Sequence, residues 1–205
     1  MVSRVPRKTV NKASAQPLPP ADLDWRSLPL EKISRGRVYR RLHPYARNAI
    51  HYNDSNDYRF NAPNEQFAVL YIAEELKGAF AETLLRHPGK TLIDQRDIDA
   101  KAVSEIEIRS QMKLVKLYGQ GLVRVGATAT VASGDYAVSQ AWSIALWRHP
   151  QKPDGIIYRA NHDNDQICLA LYEHTRKHVR VVKTVPPGSE PFLAELLDHY
   201  GVGIG

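Results

Sequence analysis

Apolar residues recur in short alternating bursts along most of the chain, and this period of two predicts strands. RVYRRL opens such a burst at Arg37, followed by QFAVLYIA at 66–73, SEIEIRSQMKLVKL at 104–117, DGIIYRA and QICLALYE. Alternation places successive side chains on opposite faces of a sheet. Two intervening segments follow a helical spacing instead. In EELKGAFAETLLRH, Leu76, Ala79, Phe80, Thr83 and Leu84 share a face, and in DYAVSQAWSIALWRH the shared face is mostly Tyr136, Val138, Trp142, Ala145 and Leu146. His87-Pro88 and His149-Pro150 end them, because proline cannot continue a helix. A third helix is expected over EPFLAELLDHY, after the loop VPPGS. The sum is a mixed α/β (α+β) domain, a central mixed sheet flanked by helices, without the strict alternation of a doubly wound fold.

Residues 1–24 lack any hydrophobic period and are rich in Pro, Ala, Lys and Ser, so they are expected to form a mobile arm or a strap laid over the domain. Residues 25–205 then make one folded unit, a usual size for a single core. With 43% hydrophobic and 24% charged residues, the composition is ordinary for a globular protein. No apolar run approaches a membrane span and the basic N-terminus has no hydrophobic segment after it, so a cytoplasmic protein without membrane contact is expected. The single cysteine, Cys168, lies in QICLALY as a buried small hydrophobe, and no intrachain disulfide can form.

The net charge of +6 changes the picture because it is clustered, in RVPRK, SRGRVYRR and HTRKHVRVVK. Such patches suit an anion: a nucleic acid, a phosphorylated small molecule or an acidic protein. No GxxxxGK[ST] loop is present, and the glycines of GQGLVRVG lack the spacing and following helix of a dinucleotide fingerprint. His174 and His178 have a helical spacing, but their basic segment reads as surface.

Six other positions are candidates for chemistry or for a close approach. Arg40 and Arg41 are adjacent in a strand pattern, so one faces inward and needs an anionic partner, or both sit at a solvated edge. Glu82 lies opposite the Phe80 stripe, either as a solvated partner of Arg86 or as a site carboxylate. Gly78, a helix-interior glycine costing about 1 kcal/mol relative to alanine, points to a close approach by something else, a ligand among the options. Tyr71 reads as a core tyrosine with its hydroxyl at the sheet edge, and Arg59 as part of a loop salt bridge.

Together, VYRRLHP at 38–44, YRFNAP at 58–63, FAVLYIAEELKGAFAET at 67–83, and SQAWSIALW with PDGIIYRANHD at 139–163 resemble the RES domain, from about Pro17 to the end. The resemblance implies a toxin with a fold similar to ADP-ribosyltransferases, NAD⁺ as substrate, and a helix-turn-helix-type antitoxin as partner. By motif, the family's first-strand arginine falls on Arg40, its RF arginine on Arg59, its LY tyrosine on Tyr71 and its helical glutamate on Glu82. Close relatives look like YRSRHD where this chain has YRANHD, so Ala160 and Asn161 stand where serine and arginine are expected to contact NAD⁺.

The implied reaction breaks the nicotinamide–ribose bond, with water or phosphate as acceptor and no metal required. Glu82 is expected to stabilise the developing oxocarbenium-like charge. Arg40 and Arg59 would hold the phosphates, and Tyr71 would shape the nicotinamide end by stacking or through its hydroxyl. The same site could pass ADP-ribose to a protein. A non-catalytic nucleotide or nucleic-acid binding module is the alternative from another class, although direct nucleic-acid binding is expected only through the antitoxin.

Overall fold

The alternating bursts become strands in a computed structural model that describes residues 17–64, 66–87, 89–186 and 193–205. In chain order they are β1 (Leu30–Ile33), β2 (Val38–Pro44), β3 (Val69–Ala73), a short β4 (Leu92–Ile93), β5 (Lys101–Ile108), β6 (Met112–Leu117), β7 (Gly155–Arg159), β8 (Ile167–Tyr172), β9 (Val179–Val185) and a short β10 (Gly203–Ile204). All but β4 and β10 join one sheet in the spatial order β1-β6-β7-β8-β3-β2-β5-β9. Neighbouring strands are antiparallel except β6 and β7. A parallel pair needs a crossover connection. Here it is supplied by α3 (Gln120–Val125), α4 (Thr130–Ser133) and α5 (Tyr136–Arg148), after the earlier helices α1 (Leu76–Leu84) and α2 (Gln95–Asp99).

Side chains alternate across the sheet as period two requires. Val69, Ala73, Cys168, Ala170 and Tyr172 point to the layer containing Trp142 of α5, whereas Leu70, Ile72, Leu169 and Leu171 point to the layer containing Tyr39 and Ile106. A third cluster, with Phe80, Leu84, Ile93, Ile98 and Leu196, lies between α1, α2 and α6 (Leu193–Tyr200). α6 lies within the third expected helix, of which 190–192 are outside the described residues.

Two expectations need correction and a third is narrowed. The burst at 104–117 is not one strand but β5 and β6, which sit apart in the sheet, because β5 pairs with β2 and β9 while β6 pairs with β1 and β7. On α5 the buried face is Ser139, Gln140, Trp142, Ser143 and Leu146, and Tyr136 is 41% exposed. The serines are accommodated because their hydroxyls donate to the carbonyls of Val131 and Phe60, each at 2.7 Å. The expected arm also divides: residues 1–16 lie outside the described residues, but from Pro17 the chain is a strap on the domain. Trp142 Nε1 donates to the Pro17 carbonyl at 2.8 Å, and Leu23 is buried. Among the described residues, no helix is long and apolar enough to cross a membrane.

Candidate functional site

β2 pairs with β5 from Val38 to Pro44, yet it meets β3 at one register position, Arg40 opposite Ala73. Beyond Arg40 the two strands part, and a cavity of about 230 Å³ opens between them. Its lining comes from β2, from α1 through Ala79, Glu82 and Thr83, from Arg86 just past its end, from the loop holding Arg47 to Arg59, from Tyr136 at the start of α5, and from Asn161 and His162 after β7. Among the lining residues Glu82 is the sole carboxylate, against Arg40, Arg41, Arg47, Arg59, Arg86 and Lys101.

Glu82 is half-buried and its Oε1 accepts the backbone N–H of Asn161 at 2.8 Å. The solvated Glu82–Arg86 pair therefore does not form between side chains. Arg86 Nε donates to the Glu82 backbone carbonyl at 2.8 Å, and its guanidinium lies over the Tyr58 ring, 5.1 Å from the centroid. Gly78 on the same helix does mark a close approach, but by protein: a Cβ there would stand 3.1 Å from the Cβ of Gln166 and 3.2 Å from that of Ala73. α1 is thereby seated against the loop that carries Asn161.

Tyr71 donates its hydroxyl to Asn61 Oδ1 and accepts the Phe60 N–H, both at 2.9 Å, while its ring stacks with Tyr58 at 5.7 Å. Burial pushes its phenol well above the usual range, and the nearby Glu82 charge adds to the effect. With both hydroxyl bonds committed to the chain, what Tyr71 offers the cavity is its ring. Asn61 passes the restraint on, donating to the Asn53 and Ser55 carbonyls at 3.0 and 2.7 Å. The YRFNAP segment is thus a fixed wall.

Arg59 is held by a backbone carbonyl and a ring. Its Nη1 donates to the Gly134 carbonyl at 2.6 Å, lies 3.4 Å from Ser139 Oγ, and its guanidinium sits over the Tyr136 ring at 4.7 Å. Arg40 and Arg41 divide as a strand requires. Arg40 pairs with Glu105 at 3.5 Å and stays one-third exposed, whereas Arg41 is held by the carbonyls of Ala49 and His51 at 2.6 and 3.0 Å. Burial pushes Arg41 down to about 10, so it remains charged at neutral pH. His43, His51 and His162, which also face the cavity, all have pKa values lowered chiefly by burial.

The structure thus brings Arg40, Arg59, Tyr71, Glu82 and Asn161 together around one cavity, and it does not bring Ala160. Ala160 is 2% exposed at the end of β7, packs in the core and donates its N–H to Gln166, away from the lining. Asn161 enters through its backbone N–H, with its side chain beside His162 at 3.1 Å. A serine that does touch one of these residues is Ser139, in the SQAW segment, beside Arg59. Sequence reasoning missed Ser139 and Asn61, although each lies inside a motif it had singled out, and it left open which of Arg40 and Arg41 faces inward.

Comparisons with known proteins bear on the family and the fold. A protein-family model described as the RES domain matches residues 37–192. A curated relative from Sinorhizobium fredii (strain NBRC 101917 / NGR234), named probable toxin y4kH, is 26% identical over 110 residues, covering 53% of this chain and 86% of that protein. Among solved structures, the M. tuberculosis MbcT–MbcA toxin–antitoxin complex contains a chain similar in fold, with a TM-score of 0.63 at 15% identity, covering 83% of this chain and 91% of that one. The family model spans the strand with Arg40, the helix with Glu82 and the loop with Asn161, and the chain belongs to the RES domain family.

Proposed function

We propose that this protein is a toxin that destroys NAD⁺ by cleaving the bond between nicotinamide and ribose. The observation that carries the reading is the single carboxylate of Glu82, fixed by Asn161 N–H at 2.8 Å in a cavity whose arginine and lysine side chains carry the opposite charge. As the N-glycosidic bond breaks, its electron pair leaves with neutral nicotinamide and positive charge develops on the ribose. A preorganised carboxylate stabilises that charge without reorganising at the moment of reaction. Water then adds to the anomeric carbon, giving ADP-ribose and a proton. Arg40 and Arg59 supply cations for the pyrophosphate, and the Tyr71 and Tyr58 rings form an aromatic wall for the nicotinamide end. Membership of the RES domain family, the relative named a probable toxin and the fold shared with a chain of a toxin–antitoxin complex support the toxin reading. They also support an antitoxin partner, of helix-turn-helix type by the family resemblance, with the toxin acting on the cytoplasmic NAD⁺ pool.

The test is NAD⁺ depletion and nicotinamide release by the purified protein, with Glu82→Gln beside it. The expected result is consumption by the unaltered protein and none by the folded glutamine variant. Full turnover by that variant would sink the assignment of Glu82. Running the assay with phosphate and with candidate protein acceptors shows which nucleophile takes the ribosyl group.

A further inference from the structure

The C-terminal helix reaches back to the site from outside the cavity. α6 docks on α1 through Leu196, in the cluster of Phe80 and Leu84, and Tyr200 lays its ring over Phe80 with centroids 5.7 Å apart and planes 6° from parallel. The Tyr200 hydroxyl donates to Asp163 Oδ2 at 2.7 Å, and the Lys77 carbonyl oxygen stands 3.1 Å away. One proton cannot serve both acceptors fully, and the carboxylate is the nearer and stronger one. Tyr200 therefore touches the two elements that carry Glu82 and Asn161, without touching either residue. Lys77 belongs to the helix that carries Glu82, and Asp163 follows Asn161 in the loop after β7. The family model ends its match at residue 192, before any of α6.

We propose that Tyr200 is a positioning residue, whose hydroxyl braces the loop after β7 against α1 so that the Asn161 N–H stays on the Glu82 carboxylate. A loop amide has no ladder to hold it in place, and a charge-assisted bond to Asp163 restrains the loop two residues beyond the amide that matters. In its effect on turnover, the brace rests on the reading of Glu82 as the acting carboxylate. In its effect on the Asn161 amide it does not.

The experiment is Tyr200→Phe, which removes one oxygen and keeps the ring on Phe80, read in two ways. Amide hydrogen exchange is expected to be at least about tenfold faster at Asn161, with Leu169 and Leu171 of β8 unchanged, as a local opening would give. In NAD⁺ turnover, kcat is expected to fall about tenfold or more with KM nearly unchanged, since small misplacements of a reacting group have effects of that size. Asp163→Ala, which also frees the Asp165 N–H held by Asp163 Oδ1 at 3.1 Å, should give both effects at least as strongly, and adding Tyr200→Phe to it should change little further, because the bond between the two side chains is already gone. Unchanged exchange at Asn161 overturns the brace. Faster exchange throughout β8 overturns it too, since it would make Tyr200 a general stabiliser. If the unaltered protein leaves NAD⁺ intact, the proposed function fails and the exchange result still decides the brace.

Discussion

Arg41 and Arg40 are neighbours with different duties. Arg41 is bound by the carbonyls of Ala49 and His51, so its charge fixes the loop that walls the cavity. Arg41→Met keeps the length of the side chain but leaves those carbonyls without their donor. A loss of about 2 kcal/mol is expected, the scale of a hydrogen bond to a charged group, read as a lower urea midpoint with an unchanged slope. The histidines add a pH dependence. His43, His51 and His162 are lowered below 6.5 in the folded protein, so as pH falls past 6.5 the unfolded chain takes up protons first. Stability is therefore full above about 6.5 and declines below it until the folded histidines protonate as well. Urea midpoints measured at intervals between about pH 5 and 7.5 should rise with pH, and a flat profile would show that the three rings are not held neutral by burial.

At the scale of elements, the site depends on where strands separate and on how closely one helix sits. β2 stays with β5 and leaves β3 after Arg40, and that divergence makes the cavity. α1 reaches its position because Gly78 lets it approach Gln166 and Ala73. The neighbouring atoms are Cβ atoms fixed to backbone, so they cannot swing aside. Gly78→Val is expected to cost about 1–3 kcal/mol through overpacking, outweighing any gain from removing a helical glycine. It should also displace Glu82, which thermal melting together with NAD⁺ consumption would reveal as a loss of both.

For the whole molecule, the C-terminal segment closes the structure on the side of α1 away from the cavity. α6 covers Phe80, Leu84 and Ile98, and β10 pairs in parallel with β4, Gly203 opposite Leu92 and Ile204 opposite Ile93. Removing Leu193–Gly205 would expose that cluster, with an expected loss of at least roughly 3 kcal/mol from the uncovered apolar side chains. Denaturant unfolding of the shortened chain measures it, and a midpoint equal to that of the full chain would show that the third cluster contributes nothing to stability.

Periodicity and punctuation alone determined the α+β class, the strands around Tyr39, Tyr71, Tyr158 and Leu169, and the helices that end at Leu84 and Arg148, since each is a local pattern in the apolar residues. The motifs also marked the arginines, tyrosine and glutamate that the fold gathers around one cavity. Which strands pair was invisible, because β5 and β6 alternate alike and register is set by neighbours far away in sequence. β9 was missed because VRVVKTV is exposed on both faces through most of its length, leaving no buried period to read. Ala160, expected at the site, and Ser139, which was given no role, fall where they do for the same reason. Which residue at a strand end faces a cavity, and which serine meets an arginine eighty positions away, is decided by packing of distant segments, and only the tertiary structure contains it.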